Sequence, residues 1–232
     1  MEHLEENPLI SCLCVTHNKP HMLKRVIECF NNQSYENKQL IIVYEEFDSL
    51  THEFITFQKV DKNIKVIKIS SSGEKLSLGE LRNISVEQAD GEYVCQWDDD
   101  DWFDPDRLKI QMEFIQSSRK PACILSRWVV FNSQTKKAYI SNRRLWEGSL
   151  LCRKDLIIEN PYLPLHKGED TSVIESLFIE NNLHIIDDQP ELYIYVSHGN
   201  NTWEQYHFDQ IFIYSIELDS EYASDIEEIL EG

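Results

Sequence analysis

PLISCLCVTHNKPHMLKRVIECFNNQSYENKQLIIV, residues 8–43, decides the fold class. Leu9–Val15 is a short apolar run of the kind a buried strand needs. Pro20 then opens a segment in which Met22, Val26 and Phe30 recur at helical spacing, and QLIIVYEE (39–46) is a second strand. Working outward, Leu50 to Phe57 reads as a short helix and IKVIKIS (64–70) as a third strand. Leu78, Leu81 and Ile84 mark the next helix, EYVCQW (92–97) a fourth strand, and Leu108, Met112 and Ile115 a helix after Pro105. Strand–helix alternation of this kind predicts an α/β fold with a doubly wound, mainly parallel sheet.

Beyond Lys120 the rhythm changes to the aromatic and β-branched stretches CILSRWVVF, KKAYI and LWEGSLL, which predict antiparallel strands added to the sheet. A helix over Glu169 to Glu180 would bury Val173, Ile174, Leu177 and Phe178, HIID and ELYIYV read as strands, and Tyr222 to Leu230 as an acidic helix. No repeat or Pro/Ser linker divides the chain, so one shared core is expected.

The 232 residues carry 22 Lys and Arg against 41 Asp and Glu, a net charge of −19 that repels phosphate backbones and argues against nucleic-acid binding. Seven glycines never fall into a dinucleotide fingerprint, a Walker loop or a G-x-S-x-G elbow. The acidic start MEHLEENP has no apolar signal core, and no apolar run is long enough to span a bilayer. A cytoplasmic protein with six reduced cysteines is expected.

In an open parallel sheet, ligands bind beyond the carboxyl ends of the strands. Those ends carry Thr16-His17-Asn18-Lys19, Glu45-Glu46-Phe47-Asp48 and Asp98-Asp99-Asp100-Asp101. Neighbouring carboxylates about 7 Å apart repel by about 2 kcal/mol per pair at an effective dielectric of 20, so the four aspartates call for a cation. Oxygen ligands suit Mg²⁺ or Mn²⁺. The competing reading is a solvated turn that caps the following helix.

These segments resemble the family 2 glycosyltransferases of the GT-A fold. The opening strand–helix–strand, LGELRN at 78–83, DGEYVCQWDDDDWFDPDRL at 90–108, WEGSLLCRKDL at 146–156, Gly168-Glu169-Asp170 and YVSHGNNTW at 195–203 occur in the family's order. The resemblance implies a single domain over 1–232, with a nucleotide-binding half at 8–117, an acceptor-side half at 118–215 and an acidic C-terminal helix at 216–232. It also implies a metal-dependent, inverting transfer of sugar from a nucleotide-diphosphate donor to a saccharide or lipid-linked hydroxyl, with Mn²⁺ or Mg²⁺ as cofactor. Carried over by position, Thr16, His17, Asn18, Glu45, Arg82, Asp98 and Asp99 contact the donor, while Asp100 holds the metal, with His198 as a further ligand or a diphosphate contact. Asp101 contacts the site, caps a helix or braces the loop. Asp170 is the general base with Glu169 orienting it or the acceptor, and Trp146, Glu147 and Gly148 form an acceptor-side loop in which the Trp146 indole is a stacking floor for a sugar. In each case a structural role is the alternative: helix capping for Asp170, core packing for Trp146, an internal bond for Glu45.

His17 stands where the family has Tyr, and Tyr44-Glu45 where it has two aspartates, which leaves the nucleotide base open. The membrane helices and Q-x-x-R-W motif of processive synthases do not occur, so single addition is expected, with peripheral membrane association compatible. A nucleotidyltransferase on a related sheet and a catalytically silent nucleotide- or sugar-binding module are the competing functions.

Overall fold

The computed structural model describes residues 7–58, 61–70 and 75–231; the start at 1–6 lies outside them. In chain order the elements are β1 (Ile10–Val15), α1 (Pro20–Asn31), β2 (Lys38–Glu45), α2 (Ser49–Phe57), β3 (Ile64–Ile69), α3 (Leu78–Gln88), β4 (Tyr93–Gln96), β5 (Trp102–Phe103) and α4 (Arg107–Ser118). The second half adds β6 (Ala122–Leu125), β7 (Val129–Asn132), β8 (Lys137–Ile140), β9 (Leu151–Arg153), α5 (Lys154–Glu159), α6 (Thr171–Ile179), β10 (Leu183–Ile186), β11 (Tyr193–Ser197), α7 (Gln205–Ile213), β12 (Ile216–Glu217) and α8 (Ser220–Glu231).

Seven strands form one sheet in the order β10-β6-β9-β4-β1-β2-β3. β3, β2, β1 and β4 pair in parallel, and β9 runs antiparallel between β4 and β6. Strand residues alternate between two apolar clusters: Cys12, Cys14, Leu40 and Ile42 face the side of α1 and α4, and Leu13, Ile41 and Val43 the side of α3 and α6. Burial on both faces is why β1 and β2 read as unbroken apolar runs, each fully buried large side chain contributing about 1.5–3 kcal/mol. The second half does more than add antiparallel strands, since β6 and β10 form a parallel pair within this sheet. A second sheet, β12-β8-β7-β11-β5, is covered on one face by Ala223 and Ile226 of α8.

Helix starts follow their local chemistry. Pro20 sits at the first position of α1, and Asp48 caps α2 by accepting the Thr51 N–H at 2.9 Å. Ser77 and Glu80 form a reciprocal capping box on α3. Two helical phases differ from expectation. Leu23 and Cys29 join Val26 and Phe30 on the buried side of α1 while Met22 is only half-buried, and Phe178 is 55% exposed at the end of α6. The short strands β5 and β12 and the helices α5 and α7 give no strong periodic signal.

Candidate active site

Both halves line a cleft of about 670 Å³ at the carboxyl ends of β1, β2 and β4. The β1 end turns through Asn18 at φ +55°, a left-handed conformation that asparagine tolerates. The Asn18 N–H donates to Asp48 Oδ2 at 2.8 Å, so one buried carboxylate secures both this turn and α2. Thr16 and His17 reach the cleft; Asn18 does not, because the turn sends its exposed side chain back to His17 Nε2 at 3.0 Å. The His17 ring packs edge-on to Phe47 at 5.7 Å, and burial pushes its pKa down. Glu45 lines the cleft but is buried, and its Oε1 accepts the Leu76 N–H at 2.9 Å.

The aspartate run is the crossover from β4 in the first sheet to β5 in the second, so it lies at the junction of the two sheets. Each carboxylate is partnered, Asp99 and Asp100 sharing one ammonium. Asp98 Oδ1 accepts from Arg82 Nη2 at 2.9 Å, and Arg82 Nε donates to Glu169 Oε1 at 2.8 Å. Lys19 Nζ donates to Asp99 Oδ1 at 3.1 Å and to Asp100 Oδ2 at 2.8 Å. His198 Nε2 lies 3.2 Å from the same Asp100 oxygen. Asp101 accepts from the Tyr193 hydroxyl and from the Val196 N–H at 3.0 Å, so it braces the loop against β11 and caps no helix.

These contacts divide the pKa values. Burial and the adjacent Asp100 push Asp99 up to about 6. Burial opposes ionisation of Asp100 too, yet the His198 and Lys19 bonds hold it below the usual carboxylate range. Asp101 is raised well above that range by burial and by Asp100 and Asp98.

Across the cleft, Gly168 at φ +69° turns the chain so that Asp170 enters α6 as its N-terminal flanking residue. Its side chain makes no capping bond. Burial, partly offset by Arg82, pushes its pKa up to about 7. Glu169, by contrast, is 2% exposed and committed to Arg82. Gly148 is required by close approach, since a Cβ there would stand 2.8 Å from the Tyr193 hydroxyl and 3.2 Å from Asp98 Oδ2. Glu147 lines the cleft and receives Arg144 at 3.4 Å. Trp146 is 2% exposed, with Trp128 4.0 Å from its ring centroid and the Arg144 guanidinium 4.5 Å over it. No ring face is open to a sugar, so the stacking floor expected of Trp146 gives way to core packing.

A profile of the family described as Glycosyl transferase family 2 matches residues 11–170, more than half of the chain. This chain belongs to glycosyl transferase family 2. An uncharacterized glycosyltransferase of Methanocaldococcus jannaschii is 33% identical over 129 residues, covering 54% of this chain and 43% of that protein. The chain thus spans less than half the length of such curated relatives. Among solved structures, S. aureus TarS in complex with UDP-GlcNAc superposes with a TM-score of 0.67 at 16% identity, covering 95% of this chain and 70% of that one. The mannosyltransferase PcManGT of Pyrobaculum calidifontis, in complex with GDP-Man and Mn²⁺, gives 0.65 at 13% identity, covering 90% and 63%. The fold is GT-A.

In this family 2 fold, the residues present can be tested against a divalent ion. Among the described residues no three His, Cys, Asp or Glu side chains converge on one point. Mg²⁺ and its analogues need no such cage, because they bind through one or two protein ligands plus phosphate oxygens and water. Asp100 and His198, whose Oδ2 and Nε2 stand 3.2 Å apart, are the two residues that would hold such an ion, and the Lys19 ammonium on Asp100 at 2.8 Å already answers the negative charge there.

Sequence reasoning assigned no role to four residues that build this site, although Lys19 and Asp48 stand in the strand-end segments it singled out. Lys19 neutralises the aspartates, Asp48 secures the first turn, and Tyr193 braces Asp101. Arg107, fully buried, lies 4.6 Å from the Phe103 centroid and donates to the Gln96 and Gly148 carbonyls at 3.1 and 3.3 Å, tying β4 to the acceptor-side loop. Asp48 alone carried a readable signal, as an acid three residues before Thr51 at a helix start.

Proposed function

We propose that this family 2 chain transfers a sugar, with inversion and metal dependence, from a nucleotide-diphosphate donor to a hydroxyl of a saccharide or lipid-linked acceptor. The observation that carries the proposal is Asp170: a carboxylate in the cleft, free of any capping bond, raised to about 7 and facing the same space as the aspartate run. A hydroxyl nucleophile needs a base with a pKa near the working pH as the anomeric carbon gains oxocarbenium character. Thr16, His17 and Glu45 would border the nucleoside, and Asp98, Asp99 and Arg82 the ribose and diphosphate side. Asp100 and His198 would hold the divalent ion, which would supply charge neutralisation of the departing diphosphate. Arg82 positions the reaction by joining Asp98 on the donor side to Glu169, the neighbour of Asp170.

Among the described residues no helix is long and apolar enough to cross a membrane. The reading places the chain in the cytoplasm, where activated donors would reach an acceptor in solution or at a membrane surface.

Hydrolysis of uridine, guanosine and thymidine diphosphate sugars, with and without Mn²⁺, tests the proposal without knowledge of the acceptor. One donor class should turn over with Mn²⁺, and Asp170→Asn should slow it by about 10²–10⁴-fold while nucleotide binding holds and the melting temperature does not fall. Near-parental turnover in that variant would remove Asp170 from the chemistry.

A further inference from the structure

We infer that the Lys19 ammonium is a resident counter-cation of the aspartate run, and that a divalent ion seated on Asp100 and His198 has to displace it. The inference rests on the metal reading above and adds a competitor from within the chain.

The geometry turns on one atom. Asp100 Oδ2 accepts Lys19 Nζ at 2.8 Å and faces His198 Nε2 at 3.2 Å. The Asn200 N–H donates to His198 Nδ1 at 3.3 Å, which assigns the ring proton to Nε2. Both neighbours therefore present hydrogen to the oxygen that the ion would take. Binding an ion there sets a dication beside an ammonium on a single carboxylate oxygen. The ammonium is the mobile member of that pair.

Arg25 Nη2 donates to the Asp100 backbone carbonyl at 2.6 Å, while two other cationic side chains hold the carboxylates of the run, and they are held differently. Arg82 is 8% exposed at its side chain and fixed at both ends by Asp98 and Glu169. Lys19 is 22% exposed, sits on the cleft wall, and among the described residues bonds Asp99 and Asp100 at the tip of a flexible four-carbon stem. Its backbone, in contrast, is fixed: it follows the Asn18 turn bonded to Asp48 and precedes Pro20 of α1. A fixed root with a movable charged tip lets the ammonium leave the carboxylates yet stay inside the cleft, where the phosphates of a donor would be its next anionic partners.

The test is Mn²⁺ binding by electron paramagnetic resonance, with no nucleotide present, to the parent, Lys19→Met, Lys19→Gln and Lys19→Arg. Removing the competing charge should tighten Mn²⁺ binding about tenfold in the Met variant. The Gln variant keeps a neutral hydrogen-bond donor at the aspartates, guards against misfolding of the Met variant, and should shift the same way. The Arg variant, still cationic, should stay near the parent. Melting with a chelator should show the Met and Gln variants less stable than the parent, with Mn²⁺ restoring more stability to them than to it. Equal or weaker Mn²⁺ binding in both neutral variants would overturn the inference alone. No Mn²⁺ binding by any of the four proteins would overturn it together with the metal reading.

Discussion

The two walls of the cleft treat their carboxylates in opposite ways. On the β1–β4 wall every aspartate of the run has a named partner: Arg82 for Asp98, Lys19 for Asp99 and Asp100, Tyr193 for Asp101. On the α6 wall Asp170 makes no capping bond and, among the described residues, has no such partner, although its neighbour Glu169 is tied to Arg82. A partnered carboxylate is held as a fixed charge or a brace, which suits binding. An unpartnered, partly buried one has a raised pKa and an available lone pair, which suits proton transfer. On the proposed function the site would separate holding a ligand from reacting with it, and Arg82 is the bond between the two walls.

Mutations sharpen this contrast in order of effect. Asp170→Asn should cost the most activity, the 10²–10⁴-fold loss given above, and almost nothing in stability. Arg82→Met should do the reverse in kind. It strands Glu169 and Asp98, and breaking a buried ion network by removing one partner costs about 3–5 kcal/mol, so chemical denaturation should show a large loss of stability together with loss of nucleotide binding. If Arg82→Met melts like the parent, the walls are not coupled through it. Gly148→Ala is smaller. Its Cβ would press on the Tyr193 hydroxyl and Asp98, and overpacking of this kind costs about 1–3 kcal/mol. Donor binding should weaken while the pH dependence of turnover stays unchanged.

How much of this was legible in the sequence follows from the range of each interaction. β1, β2, α1 and α4 were readable because burial on two faces, or on one stripe, leaves a local periodic signature. β5 and β12 span two residues each, too short for any period, and they form only because distant strands pair with them. The aspartate run stood out by type and position at a predicted strand end, whereas Asp170 was singled out by its match to the family's Glu-Asp pair. Lys19 reaches Asp99 and Asp100 across 80 and 81 positions of chain, and Tyr193 reaches Asp101 across 92. Nothing local announces such pairs. Trp146 shows the converse error: an aromatic beside Glu147 and Gly148 suggested a sugar platform, but whether a ring face is open depends on Trp128 and Arg144, which only tertiary packing reveals.

The most direct test of the division between the walls is the pH dependence of donor turnover at saturating donor and Mn²⁺. Burial raises the folded Asp170 pKa from 3.8 to about 7, so the group becomes a base only as pH rises through that value. The same shift makes the folded state bind the proton more tightly than the unfolded one, so this group's contribution to stability falls as pH rises between about 4 and 7. Turnover should therefore climb tenfold per pH unit below about 7 and level off above it, while Asp170→Asn loses both that limb and the stability slope. A rate that stays flat down to pH 5, or an unchanged acidic limb in Asp170→Asn, would contradict the account.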